Sequence, residues 1–153
     1  DVCSSDLKKF PYAKIRIIDS IKFLERDFNH DKFDFIVIDN PMNIFGLTSD
    51  GSYCEHFEII KLVKKIMEKK SIVIFNVNTS PYGYDKSPMW KKRRDEYYGF
   101  VDTSNLKLEF LFNFYKNIFL EMGWKTNFKF NIERAFFKNK PIIHYLAFVL
   151  ESK

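Results

Sequence analysis

The chain has 153 residues, of which 46% are hydrophobic, 18% aromatic and 29% charged, with a formal net charge of +5. This much apolar side chain supports a folded core and excludes a disordered chain, and five glycines and five prolines exclude a collagen-like or low-complexity architecture. The positive charge indicates anionic partners. Because arginine binds phosphate better than lysine and is here the less frequent of the two, nucleic acid is the less favoured partner.

Targeting and compartment can also be predicted from the composition. No apolar run approaches the roughly 18–20 residues that cross a bilayer, so we expect no membrane association. Two cysteines, Cys3 and Cys54, are too few for a disulfide framework or a zinc site, which favours a reducing, cytoplasmic location.

Residues 1–7 (DVCSSDL) differ in character from the rest of the chain. They have no apolar periodicity and are too short and polar for a signal peptide. They resemble the translation of a common sequencing-library adapter. We therefore expect 1–7 to be a non-native tail and 8–153 to be the C-terminal part of a domain.

Two predicted strands and a helix occupy the first 40 residues. Lys14–Asp19 is a β-branched run that ends at an aspartate, after which Ser20 can cap a helix. Phe33–Asp39 contains consecutive apolar residues, which is typical of a strand covered on both faces in a parallel sheet. It is followed by Asn40 and Pro41.

The middle of the chain predicts a helix, a strand and a second helix. An amphipathic helix starts at Glu55 and reaches Met67, with His56 on its apolar stripe. Ser71–Val77 is a continuous apolar strand. Ser87 and Pro88 are a favourable start for a short basic helix that Gly99 ends.

The last third predicts a longer helix and two strands. Ser104 can cap this helix, and Gly123 is well placed to end it. Apolar residues alternate with polar ones around Phe130, which indicates a strand with one wet face, and Ile142–Leu150 is a nearly unbroken apolar strand.

The order of elements predicts an α/β fold with a Rossmann-like, mostly parallel sheet, helices on both faces and a C-terminal antiparallel strand pair. Ligands bind such sheets at the carboxyl ends of the strands. In this chain those ends are polar: Asp19, Asp39–Pro41 and Asn76–Thr79. We therefore expect one shared site there.

With these strand ends, the chain resembles the C-terminal two-thirds of a class I S-adenosylmethionine-dependent methyltransferase. IRIIDSIKFL resembles the third strand of that family and its turn, KFDFIVIDNP the fourth strand, and SIVIFNVN the fifth. The closing pair resembles the reversed hairpin whose last strand inserts antiparallel beside the fifth. The resemblance implies S-adenosylmethionine as cofactor, bound by Asp19, Ser20, Asp39 and Pro41.

Two parts of the family pattern are missing from this chain, namely the glycine-rich turn after the first strand and the acidic end of the second. The resemblance places the first two strands between the third and fourth, so the chain would leave a strand edge unpaired. We therefore expect this chain alone to bind the cofactor weakly or not at all.

The candidate catalytic residues are Asp39, Asn40 and His56. Asp39 could accept a proton from the acceptor or order the loop, and Asn40 could align an amine. His56 could be a base or a structural histidine. Asn40-Pro41 lacks the second proline and the aromatic residue of family members that methylate base or glutamine nitrogens, which favours a small-molecule acceptor.

The candidate substrate-binding residues are Asn78, Arg93, Arg94 and Tyr97. Asn78 could line a pocket or form a turn, and the basic stretch WKKRRDEYY could clamp an anionic substrate or be a solvated helix face. No metal site is expected. Two other functions remain open, a P-loop ATPase core with FIVID as its Walker B strand and a catalytically silent scaffold.

Overall fold

The computed structural model describes residues 12, 20–26, 30–39, 56–81, 88–99, 102–137 and 139–153, with the side chains of 134–137 left undescribed. The predicted strand Lys14–Asp19, the tail 1–7, Asn40 and Pro41 lie outside these residues. The helices are α1 Ser20–Glu25, α2 Phe57–Leu62, α3 Pro88–Tyr98 and α4 Leu108–Glu121, with a 3-10 helix at Val63–Ile66. The strands are β1 Phe33–Ile38, β2 Met67–Asn78, β3 Trp124–Phe137 and β4 Lys140–Ser152.

Within the described residues, the strands form one sheet in the order β1-β2-β4-β3. β1 and β2 are parallel, whereas β4 is antiparallel to both β2 and β3. The last strand therefore lies antiparallel beside β2, as the resemblance implied. The prediction of a mostly parallel sheet is wrong for the described strands, because inserting β4 between β2 and β3 creates two antiparallel pairs against one parallel pair.

The core lies between the sheet and helices α2, α3 and α4. On β2, Val73, Phe75 and Val77 are buried against this layer, and from β4 Phe148 is buried in it as well. Phe148 packs on Phe75 with ring centroids 5.8 Å apart. α1 packs against α2. Because the alternate side chains of β2 are buried in this core, the ends of β1 and β2 are held in fixed positions.

The other face of the sheet is open in the described part of the chain. Phe35 and Val37 are 57% and 52% exposed, so the expectation that β1 is covered on both faces is wrong. A continuous apolar run does not specify which of its two faces is covered. On β3, Phe128 is 61% exposed and lies on the same open face, whereas Lys129 points to the helices, its Nζ 5.0 Å from the ring centroid of Phe112.

Several predicted element ends are confirmed, and one is wrong. Gly99 and Gly123 follow α3 and α4 with φ of 74° and 90°, a backbone conformation that favours glycine. α2 ends at Leu62 and continues as the 3-10 helix Val63–Ile66, so the helical segment ends one residue before Met67, which begins β2. Ser104 does not cap α4. Its N–H donates to Asp102 Oδ1 in a turn, and α4 begins four residues later.

None of the described helices combines the length and the apolar character that crossing a membrane would require. The described residues also contain no group of three or more His, Cys, Asp or Glu side chains arranged to hold a metal ion.

Candidate functional site

The carboxyl ends of β1 and β2 lie at the same edge of the sheet. The strands are parallel, and Ile38 pairs with Phe75. Asp39 directly follows β1, so it lies at the level of Asn76, and Asn78 ends β2 two residues later. Of the three strand ends predicted to meet at one edge, these two do so, and Asp19 lies outside the described residues.

His56 lies at this edge as the residue that precedes α2, and it is only 2% exposed. Its backbone carbonyl accepts from the Ile60 N–H at 3.0 Å, but its side chain does not cap the helix. The ring instead hydrogen-bonds through Nε2 to Oδ1 of Asn76 and packs edge-to-face on Phe75 at 6.1 Å. Two polar residues predicted at separate strand and helix ends are therefore in direct contact.

The environment of His56 favours the neutral ring. Burial lowers its pKa below the ordinary value of 6.5, while the hydrogen bonds to Asn76 and the negative charge of Asp39 act in the opposite direction. Because the amide oxygen of Asn76 can only accept, Nε2 carries the ring proton. The lone pair of the neutral ring is then on Nδ1, the nitrogen that can accept a proton.

Asp39 differs from His56 in being exposed at the strand end. Its carboxylate contributes negative charge close enough to influence His56. A solvated carboxylate next to a buried neutral imidazole gives this edge two groups with different tasks, one suited to hold cationic or hydroxyl groups and one suited to accept a proton.

Asn78 forms a turn at the end of β2. Its Oδ1 accepts from the Ser80 N–H at 3.0 Å, and its side chain is buried. The next residue, Thr79, donates its N–H to Ile142 at 2.8 Å and accepts from the Leu106 N–H at 2.8 Å. Of its two predicted roles, the turn is the one that the structure describes, and substrate binding by Asn78 stays a prediction.

Arg94 connects this turn to the segment that follows α3. Its guanidinium is fully buried, and Nη2 donates to the carbonyls of Asn78 at 3.0 Å and Thr103 at 3.1 Å. Its Nε donates to Thr103 Oγ1 at 3.3 Å, and Asp95 accepts from both the N–H and the hydroxyl of the same threonine. The guanidinium also lies over the Tyr98 ring, 5.3 Å from its centroid. This side chain is therefore engaged inside the protein.

Arg93 and Tyr97 hold α3 against α2. Arg93 forms an ion pair with Glu58, and both side chains are about 30% exposed. Tyr97 stacks on Phe57, the residue after His56, with centroids 3.9 Å apart. The predicted substrate-binding pair thus lies next to the His56 end of α2, and binding of a substrate by either residue stays a prediction.

Ser20 is the exposed first residue of α1, and cofactor binding by this residue stays a prediction. The sequence did not single out Thr103, since nothing in its spacing relates it to Arg94. The contact between His56 and Asn76, twenty residues apart, also has no local sequence signal.

No protein-family model matches the chain, and no curated protein matches it. Among solved structures it is similar to a candidate O-methyltransferase from Nostoc punctiforme PCC 73102, with 13% identity over 82% of this chain and 34% of that one and a TM-score of 0.37. It is also similar to LepI in complex with SAM, with 12% identity over 99% of this chain and 40% of that one and a TM-score of 0.40. The chain spans about a third to two fifths of these proteins. The likeness is distant.

Proposed function

We propose that the edge formed by Asp39, His56 and Asn76 takes part in S-adenosylmethionine-dependent methyl transfer to a small-molecule acceptor. The observation that carries this proposal is the meeting of an exposed carboxylate and a buried, neutral, hydrogen-bonded imidazole at the carboxyl ends of two parallel strands. Ligand sites in α/β sheets are found at this position.

The negative charge at this edge is complementary to the positive charges of the cofactor. S-Adenosylmethionine carries a sulfonium, an amino group and ribose hydroxyls, and the exposed carboxylate of Asp39 can accept from or attract such groups. In the proposal, Asp39 holds the cofactor together with Asp19, Ser20 and Pro41, and Asn40 aligns the acceptor.

When bound, the cofactor supplies an electrophilic methyl group. The chain's own contribution is to position the acceptor and to take up its proton. His56 accepts that proton at Nδ1, and Asn76 fixes the tautomer by accepting the Nε2 hydrogen. Because burial keeps the ring neutral, the base is ready at neutral pH, and Asp39 stabilises the cationic ring that forms.

The two arginines have different roles in this proposal. Arg93 is partly exposed and can turn from Glu58 towards an anionic acceptor, close to the stacked ring of Tyr97. Arg94 is a positioning residue, because its buried guanidinium holds the carbonyl of Asn78 and so fixes the end of β2.

The proposal is tested by NMR titration of the 15N-labelled chain with S-adenosylhomocysteine, the product form of the cofactor, up to millimolar concentration so that weak binding is detected. We expect saturable shifts of the amides at Asp39 and at 76–79. Asp39→Ala should weaken binding at least tenfold. The matched control is Asp34→Ala, which removes an exposed aspartate near the opposite end of β1, away from the edge.

Three results would contradict the proposal: saturable shifts confined to amides away from Asp39 and 76–79, equal binding by Asp39→Ala, or equal loss in both variants. Shifts of the same amides with Mg-ATP but not with S-adenosylhomocysteine would favour the ATPase alternative. The absence of shifts with both ligands would favour the silent scaffold.

A further inference from the structure

Thr103 is fully buried in the segment that joins α3 to α4, and its hydroxyl lies between two charged groups. Its Oγ1 is 3.3 Å from Nε of Arg94 and 2.9 Å from Oδ1 of Asp95. Its backbone N–H donates to the same carboxylate oxygen at 3.1 Å, and its carbonyl accepts from Nη2 of Arg94 at 3.1 Å. One residue therefore holds both a cation and an anion of α3.

The chemistry of the two charged neighbours fixes the direction of these hydrogen bonds. A hydroxyl has one hydrogen to donate and lone pairs to accept, whereas a carboxylate only accepts and a guanidinium only donates. The Thr103 hydroxyl therefore donates to Asp95 and accepts from Arg94, and the two roles cannot be exchanged. Because each of these bonds involves a charged group, each is stronger than a bond between neutral groups.

The planar shape of the guanidinium converts this chain of bonds into a constraint on direction. The Nε–H and one Nη2–H of an arginine point side by side in a rigid fork. At Arg94 this fork is engaged by Oγ1 and by the carbonyl of Thr103. The direction of the second Nη2–H is then fixed as well, and its acceptor is the carbonyl of Asn78, 3.0 Å from Nη2.

The carbonyl of Asn78 lies close to the candidate site along β2. Asn78 is the last residue of this strand, two residues after Asn76, whose side chain bonds to His56. The next residue, Thr79, is tied through its backbone to β4 and to the segment before α4. The bond from Arg94 ties the same turn to α3. A change in the direction of the guanidinium is therefore expected to move the last residues of β2.

We propose that Thr103 is a positioning residue for the candidate site, whose hydroxyl aims the guanidinium of Arg94 at Asn78 and so sets the position of the end of β2. The inference rests on the proposed function, because the backbone that Thr103 positions belongs to the edge assigned there to methyl transfer. Valine at position 103 has nearly the same shape but offers no acceptor to the Nε–H of Arg94. Serine keeps the hydroxyl and loses only a methyl group.

The test compares Thr103→Val with Thr103→Ser by 15N NMR of the ligand-free whole chain. The Nε–H signal of Arg94, assigned by its loss in Arg94→Lys, reports on the guanidinium, and the amides of 76–79 report on the edge. In Thr103→Val we expect the Nε–H proton to exchange with water at least tenfold faster and these amides to shift. Thr103→Ser should keep the exchange rate within threefold of the wild type and leave the amides in place. The matched control, Thr126→Val, removes a buried hydroxyl that makes no hydrogen bond within the described residues, and it should change neither signal.

An unchanged Nε–H exchange rate in Thr103→Val would overturn the proposal. So would faster exchange with the amides of 76–79 unmoved, or the same changes in Thr103→Ser or Thr126→Val. Circular dichroism checks that Thr103→Val is folded. Asp95→Ala, at a partly exposed residue, removes the acceptor that orients the hydroxyl; it must change the same signals, and it decides the question if Thr103→Val does not fold. These spectra need no ligand, so they test the role of Thr103 separately from the S-adenosylhomocysteine titration, which tests the proposed function.

Discussion

The environment of His56 predicts how the stability of this protein depends on pH. In the folded state its pKa lies below 6.5, because burial of the ring outweighs the effects of Asn76 and Asp39. In the unfolded chain the imidazole titrates near 6.5. Below that pH the unfolded state binds a proton that the folded state refuses, so the free energy of unfolding falls as the pH falls.

The size of this effect has an upper bound. One group contributes at most about 1.4 kcal/mol per pH unit between its unfolded and folded pKa values. Between pH 7 and pH 5.5, His56 can therefore remove up to about 1.4 kcal/mol of stability. With urea slopes of about 1–3 kcal/mol per molar for small proteins, this loss moves the unfolding midpoint by roughly 0.5–1.4 M.

The assay compares the wild type with His56→Gln by urea unfolding at a series of pH values. The glutamine amide can still donate to Oδ1 of Asn76, but it does not titrate. His144, whose pKa burial also lowers, is present in both proteins, so its contribution cancels in the difference.

We expect the wild type to lose stability with acidification more steeply than His56→Gln, with the two curves parallel above pH 7.5. Parallel curves over the whole range would show that the pKa of His56 is the same in both states. A wild type that gains stability relative to the variant on acidification would mean a raised folded pKa, with Asp39 outweighing burial. Either result would refute the neutral buried imidazole.

Further substitutions test the core, a helix end and the buried arginine, each by urea unfolding at pH 7.5. Phe148→Ala should lower the free energy of unfolding by about 3–5 kcal/mol because the ring is fully buried. Leu120→Ala should lower it by under about 1 kcal/mol because this side chain is 45% exposed. Equal losses would refute the assigned core. Gly123→Ala should lower the free energy of unfolding by about 1 kcal/mol because alanine is strained at a φ of 90°. No steric clash adds to this loss, since a Cβ at this position meets no atom within 4 Å. An unchanged stability would contradict this backbone conformation. Arg94→Lys should lower the free energy of unfolding by about 2 kcal/mol because the hydrogen bonds to the carbonyls of Asn78 and Thr103 are lost. Arg93→Lys should lower it by under about 1 kcal/mol because the ion pair with Glu58 is partly exposed. The reverse order would contradict the structural role assigned to Arg94.

The sequence predicted those features that depend on local patterns. The apolar runs predicted β1, β2 and β4, and the Pro88 start and glycine ends of α3 and α4 were placed correctly. The helical periodicity holds through α2 and the 3-10 helix to Ile66, and Met67, which is buried as the pattern indicates, lies in a strand. Apolar spacing reports which residues are buried, and it leaves open the conformation that buries them.

The candidate site could be predicted only in part, for a related reason. The polar ends of the strands marked the edge, and His56 stood out near a helix start. Its partner could have been either of two asparagines, and the choice of Asn76 depends on how far β2 extends beyond Ile38 of β1. The role of Arg94 likewise depends on a fold that brings it to Asn78 and Thr103.

The strand β2 explains why the site, the core and the open face occur together. Its alternate residues Val73, Phe75 and Val77 fill the core, and Ile72 and Ile74 lie on the open face. Asn76 lies one residue beyond Ile38 and Phe75, the last pair of the β1–β2 ladder, and there its Oδ1 hydrogen-bonds to Nε2 of His56. Within the run from Ile72 to Val77, position 76 therefore carries a polar side chain because it joins β2 to the residue that precedes α2, whereas positions 72 and 74 carry apolar ones.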